Sequence, residues 1–129
     1  PILFQEYSED LLASFTGKAV IANSWATWCP FCVDELPDFA TVQKELGEEV
    51  VILAINRKES KEENSQFLCE LGIKNDLVYV LDIEDKFFND VRGLAMPQTI
   101  FVDREGNTQF QKQGFMTLEE IKQRAQEIL

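Results

Sequence analysis

Cys29 and Cys32 are separated by Pro30 and Phe31, directly after an apolar stretch of strand character and at the start of a helical pattern. Two thiols at this spacing can close a short disulfide loop. A helix start adds free backbone N–H groups and the positive end of the helix dipole, which stabilise a thiolate. The chemistry this suits is electron exchange between a dithiol and a disulfide, with Cys29 as the nucleophile. Half of a zinc site and a structural bridge are the competing uses of such a pair. Zinc takes about four ligands, and with no histidine and only Cys69 left over the set would be incomplete.

The absence of histidine also removes Ser-His and Cys-His nucleophilic catalysis and the commonest general base near neutral pH. A formal net charge of −11, with twelve scattered Lys and Arg residues, argues against a phosphate backbone as partner. Three cysteines are too few for a disulfide-rich scaffold. At 129 residues the chain can build one ordinary core, so a single domain over 1–129 is expected. No apolar run approaches the roughly 20 residues that span a bilayer, and no signal-peptide pattern is present, so the chain reads as soluble. It opens on Pro1 rather than Met, which fits a processed product or the loss of an upstream segment.

The elements that must position the two cysteines follow from periodicity. Leu11, Leu12 and Phe15 predict a short helix over Ser8 to Phe15, and Ala19 to Trp25 is apolar on both faces, as a central parallel strand is. A helix is predicted from Pro30 to Leu46, with Leu36, Phe39, Ala40 and Leu46 inward, Gly47 after its end and a kink at Pro37. Val50 to Ile55 reads as a second buried strand. Beyond it come a helix over Lys61 to Leu71, a strand over Leu77 to Leu81 and a helix over Asp85 to Val91. Thr99 to Val102 and Thr108 to Lys112 flank a turn with Gly106 and Asn107 and should pair antiparallel. Thr117 and Glu120 have capping-box spacing ahead of Leu118, Ile121, Ala125 and Ile128, the buried face of a last helix. This alternation predicts an α/β sandwich.

Asn23 to Cys32, then Glu35-Leu36-Pro37, then Met96 to Asp103 with Gly106 and Gly114, resembles the thioredoxin superfamily, and within it the TlpA/ResA-like (CcmG/DsbE-like) branch. The likeness runs from about Asp10 to the C-terminus through several motifs in the right order. It implies a three-layer sandwich with a central mixed sheet, helices on both faces, and a helix-strand insertion at about 61–82. Carried over by resemblance, Cys29 is the attacking thiol, Cys32 the buried resolving thiol, and Pro97 a cis-proline facing the disulfide, which leaves the backbone of Met96 free to pair with an extended substrate. Gly114 matches the small residue of the third groove loop. Glu35 matches a carboxylate that moves protons to and from the thiols. Asn23 stands where ordinary thioredoxins carry a buried aspartate.

The resemblance further implies a protein-disulfide reductase working outside the cytoplasm, in cytochrome c maturation in some relatives, with a membrane thiol carrier as electron donor and a disulfide-containing or dithiol protein as substrate. No cofactor is implied beyond the Cys29–Cys32 disulfide itself. Phe31 adds bulk but no charge between the cysteines, which favours the reducing direction over disulfide oxidase or isomerase work. A non-catalytic groove that docks extended peptides is an alternative the intact cysteine pair argues against. So is a peroxidase of the peroxiredoxin type, which normally shows a Thr-x-x-Cys site.

Several residues have a packing reading beside a functional one. Cys69, flanked by Phe67, Leu68 and Leu71, is expected to be a small core residue. Trp25 is expected in the core, Trp28 on the docking surface beside the nucleophile, Phe31 exposed toward partners, and Phe87 and Phe88 in packing. Arg57 and Lys58, at the edge where Cys29 emerges, are expected to be solvated loop charges rather than tuners of the thiol.

Overall fold

The computed structural model describes residues 2–129 and is built on a six-stranded mixed sheet. The strands are β1 (Phe4–Glu6), β2 (Ala19–Trp25), β3 (Val50–Arg57), β4 (Val78–Asp82), β5 (Gln98–Val102) and β6 (Thr108–Gln113). The helices are α1 (Glu9–Ala13), α2 (Pro30–Leu46), α3 (Lys61–Leu71), α4 (Lys86–Asp90) and α5 (Leu118–Gln126). In space the strand order is β1-β4-β3-β2-β5-β6. The pairs β1·β4, β4·β3 and β3·β2 are parallel, and β2·β5 and β5·β6 are antiparallel.

Side-chain alternation along β2 divides the core. Ala19 and Ile21, in register with Val50 and Ile52 on β3, face α2 and α5 and pack with Phe39, Met116 and Ile121. Trp25 continues that face toward α3, beside Leu36, Leu68 and Tyr79. Val20 and Ala22 point the other way, with Leu53, Ile55 and Val80, against Phe87 of α4 and the half-buried Leu11, Leu12 and Phe15 around α1. Every β2 residue is buried, which is why its sequence is mostly apolar without alternation, Asn23 and Ser24 being the polar exceptions.

Most predicted elements are present with ends moved by one or two residues. The three-residue β1, at the sheet edge, is an addition; a strand this short leaves no periodicity to detect. The helix expected from Ser8 begins with Ser8 as its cap, the hydroxyl accepting from Leu11 N–H. α2 runs as one element from Pro30 to Leu46 with Pro37 inside it. The capping boxes of α3 (Ser60 with Glu63) and α5 (Thr117 with Glu120) are both closed. Cys69 departs from expectation. It lies exposed on α3, because Asn64 and Leu68 face the sheet and turn position 69 outward. Arg57 departs as well: it is no free loop charge but forks onto Asp85 at 2.8 and 2.6 Å, its guanidinium 3.7 Å above the Phe88 ring. Trp25 and Phe87 are fully buried, as expected. No helix among the described residues is long and apolar enough to cross a membrane.

Candidate active site

β2 ends at Trp25, and the chain turns once, Cys29 N–H donating to Ala26 O, before α2 begins. Cys29 is the helix cap: its carbonyl accepts from Val33 N–H and its Sγ from Cys32 N–H at 3.3 Å. Cys29 and Cys32 form a disulfide with Cα atoms 5.3 Å apart. Pro30 occupies the first turn of α2, where a missing N–H costs nothing. Cys32 is fully enclosed and Cys29 nearly so. Trp28 and Phe31, which immediately precede the two cysteines in the chain, stand 62% and 59% exposed.

The Met96–Pro97 bond is cis, as expected. Pro97 is buried and Met96 half-buried, packed against the cluster that holds both cysteines. Pro97 O accepts from Gly114 N–H at 2.8 Å, which joins the two loops expected to border the groove. Gly114 has φ +104°, a region that side chains rarely adopt, and empty space beside its α-carbon. The backbone, rather than crowding, requires glycine there. Phe115 follows, its ring 5.9 Å from that of Phe31.

Glu35 is one turn further along α2 and wholly buried. Asn23 and Thr99 are register partners on β2 and β5, so their side chains share the face below α2. Asn23 Nδ2 donates to Glu35 Oε1 and to Thr99 Oγ1, both at 3.0 Å, and Met116 N–H donates to Glu35 Oε2 at 2.8 Å. Burial raises the carboxyl to about 8 despite the two hydrogen bonds, which act in the opposite direction; the charges of Asp38 and Glu120 add to the rise. Asn23 Oδ1 has no partner. Rotating the amide by half a turn would present that oxygen to a protonated Glu35, so Asn23 can serve either charge state.

Two networks were not visible in the sequence. Glu59, after β3, accepts from Thr27 N–H and Asn56 Nδ2, both at 2.8 Å, and from the Thr27 hydroxyl. On the other side, Gln98, Gln111 and Gln113 bind one another and the carbonyls or N–H of Val91, Leu94 and Ala95, holding the segment ahead of Pro97. Each links positions far apart in the chain, which only strand register brings together.

Residues 7–128 match the Redoxin family. The chain belongs to that family. Among curated Redoxin-type relatives it is 32% identical over 126 residues to the thiol-disulfide oxidoreductase ResA of Geobacillus thermodenitrificans, covering 95% of this chain and 70% of the relative. It is 32% identical over 109 residues to the thioredoxin-like protein YneN of Bacillus subtilis, covering 84% of this chain and 64% of that protein. The chain thus spans a little under two thirds of the length of YneN. The exposed lipoprotein thioredoxin Etrx1 of Streptococcus pneumoniae superposes with a TM-score of 0.78 at 27% identity, covering 90% and 89% of the two chains. The dsbF structure from MTB, at TM-score 0.82 and 23% identity over 90% and 84%, shares the fold. The sandwich expected from sequence is therefore the thioredoxin-like α/β fold of this Redoxin.

Proposed function

We propose that this Redoxin reduces protein disulfides outside the cytoplasm through its Cys29–Cys32 dithiol, with no further cofactor and one working domain. The observation that carries the reading is the placement of both sulfurs at the N-terminus of α2, next in sequence to the exposed Trp28 and Phe31 and one turn from a buried Glu35 whose carboxyl is raised to about 8. Its relative ResA is a thiol-disulfide oxidoreductase by name, and Etrx1 is an exposed lipoprotein; these support the activity and the location.

In the reduced protein the Cys29 thiolate attacks one sulfur of a substrate disulfide. A mixed disulfide forms and the second substrate sulfur leaves as a thiolate that takes up a proton. Cys32, one helical turn away, then attacks Cys29 Sγ, which releases the second substrate thiol and closes the Cys29–Cys32 bond. Two electrons have passed from protein to substrate. A dithiol reductant, by resemblance a membrane thiol carrier, restores the pair. Glu35 is suited to take the Cys32 proton because a carboxyl held near 8 loses and regains protons close to neutral pH. Met96, Pro97 and Gly114 would form the backbone rail for an extended substrate, with Trp28, Pro30 and Phe31 as the apolar rim.

The Cys32→Ser variant tests the assignment. It should accumulate a covalent complex with a disulfide-bearing protein substrate through Cys29, resolved by mass spectrometry after thiol quenching, and Cys29→Ser should not. Trapping through Cys32 or Cys69 instead would overturn the assigned roles.

A further inference from the structure

Glu59 lies 30 residues after Cys29 in sequence, yet its carboxylate grips the turn that presents the nucleophile. Oε1 takes the Thr27 N–H and the amide of the buried Asn56, Oε2 takes the Thr27 hydroxyl, and Glu59 N–H returns to Asn56 Oδ1 at 3.2 Å. Lys58 makes this possible with φ +62°, an uncommon left-handed conformation for a residue with a side chain, which reverses the chain and sends Glu59 back toward β2. The gripped segment is short: Ala26 O holds Cys29 N–H, so Thr27 sits inside the single turn that sets where Cys29 begins α2.

Among the described residues Glu59 makes no ion pair with lysine or arginine. Arg57, the nearest arginine in sequence, is committed to Asp85. We propose that Glu59 is a positioning residue for Cys29, fixing the Ala26–Cys29 turn through Thr27 and placing an unpaired carboxylate charge beside the nucleophile. A negative charge there opposes the thiolate and favours the disulfide over the dithiolate, which makes the dithiol a better electron donor. The other titratable groups nearest this turn are Cys32, Asp34 and Glu35 in the first two turns of α2, Lys58 beside Glu59, and Glu63 and Glu70 on α3, which line the same groove as Thr27; Asp38, Lys44 and Glu45 lie further along α2, and Lys61, Glu62 and Cys69 elsewhere on α3. Met96-Pro97 and Gly114 to Met116 bring none.

Charge and grip separate by substitution. In Glu59→Gln the amide oxygen can keep Thr27 N–H and Asn56, while the amide nitrogen donates to the Thr27 hydroxyl, so the contacts survive and the charge does not. Glu59→Ala removes both. All variants are made in a Cys69→Ser background, because the exposed Cys69 would react. Two readouts on the reduced protein suffice: the pH midpoint of Cys29 alkylation by iodoacetamide, and the rate of oxidised-glutathione reduction well above that midpoint. Glu59→Gln should lower the midpoint by roughly half a unit, and Glu59→Ala should also lower the high-pH rate several-fold. If Glu59→Ala does not fold, Thr27→Val carries the rate test, with Thr27→Ser expected to restore it. A midpoint unmoved in Glu59→Gln, or a high-pH rate unchanged in Glu59→Ala or Thr27→Val, overturns the assignment. Both readouts use small probes on the dithiol, so they are independent of the redox direction, substrate and location proposed above.

Discussion

Glu35 is a carboxyl that the fold prefers to keep protonated, and its effect on stability follows from that preference. Its ordinary value of 4.5 rises to about 8 on burial, so the folded state binds the proton more tightly than the unfolded state does. The stabilisation is complete below about pH 4.5 and is lost as pH rises through about 8. Glu35→Gln should therefore flatten the decline of unfolding free energy over that range, by an amount on the order of a few kcal/mol; urea titrations at several pH values would show it. The same variant should shift the alkaline limb of the thiol-exchange profile. An unchanged profile would take Glu35 out of the proton-transfer role and leave it a structural acid. Glu35 was legible in the sequence because it follows Cys32 by three residues, nearly one helical turn, and because the family pattern marks it. Glu59 was not, since nothing local distinguishes it among 23 acidic residues. Its partner Thr27 becomes a neighbour only when β2 and β3 align, with Trp25 beside Asn56.

At the scale of elements, α2 has two duties that sit on different turns. Its N-terminus holds the cysteines, while Phe39 further along packs with Ile21, Ile52 and Phe101 in the core shared with α5. Phe39→Ala should cost about 3–5 kcal/mol of stability, measured by chemical denaturation, and leave the dithiol potential of the folded fraction unmoved. A shifted potential would show that the two ends of α2 are coupled. The helices were readable from their caps: Ser60 with Glu63 and Thr117 with Glu120 both closed as boxes. Cys69 was misread because the apolar neighbours Phe67, Leu68 and Leu71 suggested an enclosed site. On α3 the face through Asn64, Phe67, Leu68 and Leu71 packs inward, and position 69 lies off it. Gln98, Gln111 and Gln113 escaped notice for another reason, being polar residues that strand pairing brings together, with Gln98 buried and the other two more open.

The molecule as a whole carries 23 acidic against 12 basic residues. Self-repulsion of a net charge of −11 weakens the compact state, and salt screens it over about 10 Å at 0.1 M. Raising the ionic strength from about 0.01 to 0.15 M should increase the melting temperature of the oxidised protein in a calorimetric scan. A decrease would mean that ion pairs such as Arg57 with Asp85 outweigh the repulsion. The sheet order, the two faces and the turn after β2 all converge on the N-terminus of α2, where both sulfurs sit. Direction of electron flow is a property of that whole arrangement, since it depends on how far the fold favours the disulfide over the thiols. Equilibrating the protein in thiol–disulfide buffers, with fluorescence of Trp28 beside the disulfide as the reporter, measures it directly. A reductase requires a Cys29–Cys32 potential below about −230 mV, whereas a value between about −120 and −180 mV would assign the protein to disulfide oxidation or isomerisation instead.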